Sequence, residues 1–174
     1  MSRVQLALNV NDIDEAVSFY SKLFGAEPAK RRPGYANFAI AEPPLKLVLL
    51  ANPGQGGTLN HLGVEVDSTG AVDAEQARLA EAGLAAVDER DTTCCYARQD
   101  KFWVTGAPGG ERWEIYTVLE DSPTFWGQDG GQGWDAVQAK LDAAPGAPAG
   151  QSAQCGGAQA AGEDEAASSG ACCG

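Results

Sequence analysis

The chain has little basic charge, a single histidine and no long apolar run. Lys and Arg number 12 in 174 residues against 24 Asp and Glu, a formal net charge of −12 at pH 7. A chain this acidic has no bulk attraction for nucleic-acid phosphate or an anionic membrane, which excludes partners of both classes on electrostatic grounds. The apolar runs are a few residues long, far short of the roughly 20 that a membrane-spanning helix needs. The opening Met1-Ser2-Arg3-Val4 lacks an apolar signal core and a cleavage site, so the expected location is the cytoplasm. Five cysteines, an odd count containing two adjacent pairs, do not read as a disulfide framework. Leu, Ile, Val, Phe, Tyr and Trp are all absent from Ala143 onward, and such a segment cannot offset its ordering entropy. The expected folded unit is therefore residues 1–121, in modules of about 1–55 and 56–121. Residues 122–174 are expected to form an acidic, Gly/Ala-rich tail, mostly disordered, with room for one short helix over 134–143.

What is present within 1–121 is a repeat. Gln5-Leu6-Ala7-Leu8-Asn9-Val10 alternates as a half-buried strand does. A helix follows, with Asn11 as N-cap, Asp12, Asp14 and Glu15 in its first turn, and Ile13, Ala16, Val17, Tyr20 and Leu23 at helical spacing up to Gly25. Strands are predicted near 27–31, 35–40 and 45–51. The pattern then restarts: His61-Leu62-Gly63-Val64-Glu65-Val66 matches Gln5 to Val10 position for position. A helix over 70–82 ends at Gly83, and strands follow near 86–92, 99–105 and 111–118. Each half reads βαβββ. Two such units leave apolar sheet faces to cover and pair into an α+β, eight-stranded cup. Its outer face takes the helices, and its concave face is a natural pocket. The pairing occurs either within one chain or by exchange between two chains of a homodimer.

The repeat places Gln5 and His61 at equivalent positions. In the last strand, alternation puts Arg112, Glu114 and Tyr116 on one face. If that face lines the cup, Glu114 joins Gln5 and His61 at one centre. An imidazole, an amide oxygen and a carboxylate form an N,O,O set that suits Fe(II), Mn(II), Co(II), Ni(II) or Zn(II). The matching position of the first module falls near Leu47 or Val48, which cannot ligate, so coordination positions stay open for catalysis. The plainer alternative is a hydrogen-bonded His61, an exposed Gln5 and a Glu114 paired with Arg112.

Thr92-Thr93-Cys94-Cys95 lies between two strands of the second module. Neighbouring side chains of a regular strand diverge, so both sulfurs reach one atom only from a loop or a bulge. Adjacent thiols are a soft bidentate ligand for trivalent arsenic, cadmium or mercury. Two thiolates displace the two exchangeable oxygens of a monosubstituted trivalent arsenical and leave its carbon free. The alternative role is two small buried apolar residues. Cys155, Cys172 and Cys173 either collect soft metals or are inert tail thiols.

Residues 2–121 resemble the vicinal oxygen chelate superfamily of glyoxalases, bleomycin-resistance proteins and extradiol dioxygenases. Within it they are most similar to the branch of organoarsenical carbon–arsenic lyases and cadmium-induced proteins. The resemblance rests on Arg3 to Val10, Pro33-Gly34-Tyr35-Ala36-Asn37-Phe38, Leu59 to Val66, Thr92-Thr93-Cys94-Cys95 and Gly109 to Tyr116. It implies a non-haem Fe(II) enzyme with dioxygen as co-substrate, cleaving the carbon–arsenic bond of trivalent organoarsenicals such as methylarsenite. It also implies Gln5, His61 and Glu114 as metal ligands and Cys94 and Cys95 as the catalytic and substrate-binding pair. Many relatives carry His where this chain has Gln5, a weaker donor. Trp103 and Phe102 are expected in core packing, with a wall for aromatic arsenicals as their other role. The rival readings are sequestration of cadmium or arsenic without turnover, and a glyoxalase I-like isomerase, which needs no cysteine pair and uses a fourth ligand near Val48.

Overall fold

The computed structural model describes residues 2–84, 86–127 and 134–144. Its elements run β1 (Arg3–Val10), α1 (Ile13–Phe24), β2 (Lys30–Arg32), β3 (Tyr35–Ile40), β4 (Leu45–Ala51), β5 (Leu59–Glu65), α2 (Thr69–Glu81), β6 (Ala86–Cys94), β7 (Ala97–Val104), β8 (Trp113–Asp121) and α3 (Trp134–Asp142). All eight strands form one sheet in the order β2-β3-β4-β1-β5-β8-β7-β6. The α+β, paired βαβββ architecture is thus present, and the two modules pair within the chain along β1 and β5.

The register makes the repeat geometric. β1 and β5 run antiparallel, with Gln5 opposite Gly63 and Ala7 opposite His61. Exchanging the modules swaps these two pairs, and Leu6 opposite Leu62 lies on the pseudo-twofold axis. In the parallel pairs β1–β4 and β5–β8, Ala7 meets Val48 and Gly63 meets Glu114. Val48, rather than Leu47, is therefore the counterpart of Glu114.

Alternation divides the sheet into two faces. On the outer face α1 covers Phe38, Leu47 and Leu49, and α2 covers Phe102 and Ile115. Burying each such side chain is worth about 1.5–3 kcal/mol. The α1 stripe is Ile13, Ala16, Val17, Tyr20 and Phe24. Leu23, expected in that stripe, is 59% exposed, because it sits at the stripe's margin and Phe24 takes its place. The N-cap is Asp12, not Asn11: Asp12 Oδ1 accepts from the amides of Asp14 and Glu15. Asn11 Oδ1 instead accepts from the amides of Gly54 and Gly56, tying down the loop ahead of β5.

Residues beyond 121 join the folded unit at two places. Phe125 packs against Tyr35 and Tyr96, and Trp126 bridges to Cys94. On the inner face of the second module, Val137 and Leu141 of α3 pack with Trp103 and Val87. The concave face is thus covered by a helix at one flank, which the two-module pattern did not anticipate. The rest of the expected tail, 128–133 and 145–174, including Cys155, Cys172 and Cys173, lies outside the described residues.

Candidate metal centre and thiol pair

The central strands bring three predicted residues together. Gln5 Nε2 lies 3.0 Å from His61 Nε2 and donates to Glu114 Oε1 at 2.8 Å. His61 Nε2 and Glu114 Oε1 are 3.3 Å apart. All three side chains are buried. A metal with bonds of about 2.1 Å at right angles holds its donors about 3.0 Å apart, so the triangle has the size of one face of a coordination octahedron. Gln5 Oε1 accepts from Tyr116 Oη at 2.6 Å. The two ends of a carboxamide are isosteric, and a half-turn presents the oxygen to the same point. The donor set therefore fits a divalent cation. Among the described residues no group of three or more His, Cys, Asp or Glu side chains is placed to hold a metal, so the set is complete only with the Gln5 amide.

The small residues across the axis make room for this set. A Cβ on Gly63 would stand 3.1 Å from Glu114 Cγ and 3.3 Å from Gln5 Nε2.

A chain of amides orients His61. Asn60 Nδ2 donates to Asn9 Oδ1 at 2.8 Å, and Asn9 Nδ2 donates to Thr58 Oγ1 at 2.9 Å. Those bonds fix Asn60 with its oxygen 2.7 Å from His61 Nδ1, so Nδ1 carries the proton and Nε2 offers its lone pair to the centre. Arg112 does not pair with Glu114; it donates to Asn60 O at 2.7 Å.

Glu114 is held by a buried lysine instead. Lys101 Nζ lies 3.2 Å from Glu114 Oε2 and 3.9 Å from Glu89 Oε2, and it stands 4.7 Å above the Trp103 ring. Burial pushes the Glu114 carboxyl up, but the Lys101 ammonium outweighs it and the group is held well below the usual carboxylate range. Lys101, Asn60 and Glu89 were not read as site residues in the sequence. The signal for Lys101 was there: it shares strand parity with Ala97, Gln99 and Trp103.

The cysteines meet at the tip of a hairpin. Cys94 ends β6 and Ala97 starts β7, leaving Cys95-Tyr96 as a two-residue turn. Both turn residues have positive φ, 58° and 60°, the hairpin conformation normally left to Asn and Gly. Holding non-glycine residues there costs of order 1–3 kcal/mol each and needs surrounding support. Lys30 Nζ supplies part of it by donating to Tyr96 O at 3.0 Å, and Tyr35 and Phe125 pack on the Tyr96 ring. The turn brings the two sulfurs to 3.0 Å. The hydrogen bond from Cys95 lowers the Cys94 thiol, with burial opposing and Lys101 assisting. Cys94 is therefore the first of the pair to ionise, and Cys95 keeps its proton the longer.

Both sets open on one cavity of about 200 Å³, lined by Gln5, His61, Glu114, Cys94 and Cys95 together with Tyr35 and Val48 among others. The expected aromatics divide. Phe102 is in the outer core, while Trp103 lies on the inner face, edge-on to His61 with ring centres 5.6 Å apart. Trp103 is sealed beneath α3 and outside the cavity lining.

Comparison with known proteins places the chain in a family. Residues 3–115 match the model of the glyoxalase/bleomycin resistance protein/dioxygenase superfamily. The chain belongs to this superfamily. Within it, the chain is 74% identical to the cadmium-induced protein CadI of Mycobacterium bovis, over 72% of this chain and 82% of that one. It is 63% identical to the trivalent organoarsenical cleaving enzyme of Thermomonospora curvata, over 72% of this chain and 83% of that one. The superfamily fold is also that of the Mn(II)-bound glyoxalase of Novosphingobium aromaticivorans, with a TM-score of 0.50 at 22% identity, over 75% of this chain and 45% of that one.

Proposed function

We propose that this chain cleaves the carbon–arsenic bond of trivalent organoarsenicals, methylarsenite and aromatic arsenicals included, to arsenite in the cytoplasm, as an Fe(II)- and dioxygen-dependent lyase. The observation that carries the reading is the shared cavity: a paired thiol site and an N,O,O donor set line the same space. The relative from Thermomonospora curvata, named for organoarsenical cleavage, supports it.

In this reading His61 Nε2, Glu114 and the Gln5 amide oxygen hold Fe(II), which when bound supplies the activation of dioxygen. The remaining work belongs to the chain. Cys94 and Cys95 condense with R–As(OH)2 to give R–As bound to both sulfurs, releasing two waters. This fixes arsenic at the hairpin tip and turns its one carbon toward the metal centre, which is catalysis by positioning. Asn60 keeps the His61 proton on Nδ1, and Lys101 keeps Glu114 ionised. Tyr35 and Val48 give the cavity uncharged walls. Val48 leaves the fourth position of the isomerase reading without a ligand.

The test is arsenic speciation after aerobic incubation of reduced, Fe(II)-loaded protein with methylarsenite. Arsenite should accumulate over many turnovers, and neither Cys94→Ser nor Glu114→Ala should produce it. Stoichiometric uptake with no arsenite would replace the lyase with a sequestration protein.

A further inference from the structure

Gln99 has no place in the chemistry described so far. It sits on β7 with the inward parity of Ala97 and Lys101, opposite a slip in register whose extra residue belongs to β8. It is 5% exposed and lines the same cavity as the two cysteines. Its Nε2 donates to the backbone oxygen of Cys94 at 3.0 Å. That bond fixes the carboxamide, because a flip would set oxygen against oxygen. Gln99 Oε1 is then left buried with no hydrogen-bond partner. A buried acceptor without a donor costs roughly 1–3 kcal/mol and marks a place where a ligand supplies the donor.

We propose that Gln99 is a positioning residue for arsenical capture, its Oε1 accepting a hydrogen bond from an arsenic-bound hydroxyl as the arsenical is loaded onto the cysteines. The inference rests on the proposed function and deepens it: the species recognised is a hydroxylated arsenical, R–As(OH)2. In the first exchange the Cys94 sulfur bonds to arsenic, one As–O bond breaks, and the departing oxygen leaves as water with the Cys95 proton. The product, R–As(OH)–S–Cys94, keeps one hydroxyl for Gln99 to hold. In the second exchange the Cys95 sulfur bonds to arsenic, and that hydroxyl takes a proton from solvent and departs as water. No hydroxyl remains in the finished dithiolate, so Gln99 acts on the rate of loading and not on the stability of the product. Arsenic stays trivalent throughout.

The experiment compares two probes on the full chain with Cys155, Cys172 and Cys173 changed to Ser, metal-free and anaerobic so that loading is seen without turnover. Phenylarsonous acid, C6H5As(OH)2, carries hydroxyls, whereas its bis(ethanethiolate), C6H5As(SC2H5)2, carries none and loads by releasing ethanethiol. Gln99→Met keeps the length of the side chain and removes the acceptor. Stopped-flow formation of the arsenic–sulfur chromophore should slow about tenfold in Gln99→Met with the hydroxylated probe, with an unchanged rate for the thiolate probe and an unchanged Kd for the hydroxylated one. Equal slowing with both probes would show that Gln99 only braces the hairpin through Cys94 O and would overturn the proposal. Unchanged rates with both would overturn it too. If the parent chain binds neither probe, the thiol site itself fails and the proposed function falls with it, an outcome distinct from a normal parent and an unaffected variant.

Discussion

Lys101→Met removes a buried cation and leaves its apolar stem in place. The ammonium lies 3.2 Å from Glu114 Oε2 and 3.9 Å from Glu89 Oε2. At an effective dielectric of about 20, those separations correspond to attractions of about 5 and 4 kcal/mol. Desolvation of three buried charges offsets much of this. Removing one partner of such a set costs about 3–5 kcal/mol, because the remaining charge stays buried. Glu89 keeps Lys140, 2.8 Å away, so the loss falls mainly on Glu114. Urea unfolding in chelator should show a midpoint lower by about 2 M, taking a slope near 2 kcal/mol per M. A divalent cation in the site takes over the compensation of Glu114. Saturating Mn(II), a redox-quiet probe, should therefore recover more stability in Lys101→Met than in the parent. It should also bind the variant several-fold more tightly, since the competing ammonium is gone. A loss below about 1 kcal/mol in chelator, or a weaker Mn(II) affinity, would refute the coupling between Lys101 and the donor set.

Three further outcomes follow from the same geometry. Asn60→Leu breaks the bond that holds the His61 proton on Nδ1 and should weaken Mn(II) binding 10–100-fold by calorimetry, with little change in far-ultraviolet circular dichroism. Gly63→Ala drives a Cβ toward Glu114 Cγ and Gln5 Nε2; about 1–3 kcal/mol of stability should be lost, and metal affinity should fall further than in an alanine substitution on the exposed face of α1. Because the folded Glu114 carboxyl lies below its ordinary value of 4.5, its stabilisation is fully present above about pH 4.5 and is lost as the pH falls toward the folded value. Chemical unfolding measured from pH 6 to pH 3 should show this loss in the parent and a flatter profile in Glu114→Gln.

Much of the fold was legible because the repeat is written into the chain. The offset that pairs Gln5 with His61 is the offset that the β1–β5 register realises about its pseudo-twofold axis. Alternation in β8 likewise put Glu114 and Tyr116 on one face, and the cavity lining shows that face to be the inner one. What stayed hidden depends on contacts between distant segments. Lys101 reads as a solvated charge in Arg98-Gln99-Asp100-Lys101 until β7 is seated between β6 and β8 with that residue inward. The register slips beside β7 place their extra residues on β6 and β8, so β7 keeps its own alternation, but only its seating between those two strands shows which of its faces is inward. The Cys95-Tyr96 turn lacks the Asn or Gly that signals a tight hairpin, since its support comes from Lys30, Tyr35 and Phe125 far along the chain. The helix α3 has a weak apolar pattern, and only the Trp103 and Val87 surface gives Val137 and Leu141 somewhere to go.

The central claim is that arsenic and metal meet in one cavity. Anomalous diffraction from crystals of the Mn(II)-loaded chain soaked anaerobically with phenylarsonous acid locates both atoms in a single experiment. The expected map has a manganese peak between Gln5, His61 and Glu114 and an arsenic peak bridging the Cys94 and Cys95 sulfurs in the same cavity. Arsenic on other thiols with the hairpin pair empty, or manganese away from His61 and Glu114, would contradict the account.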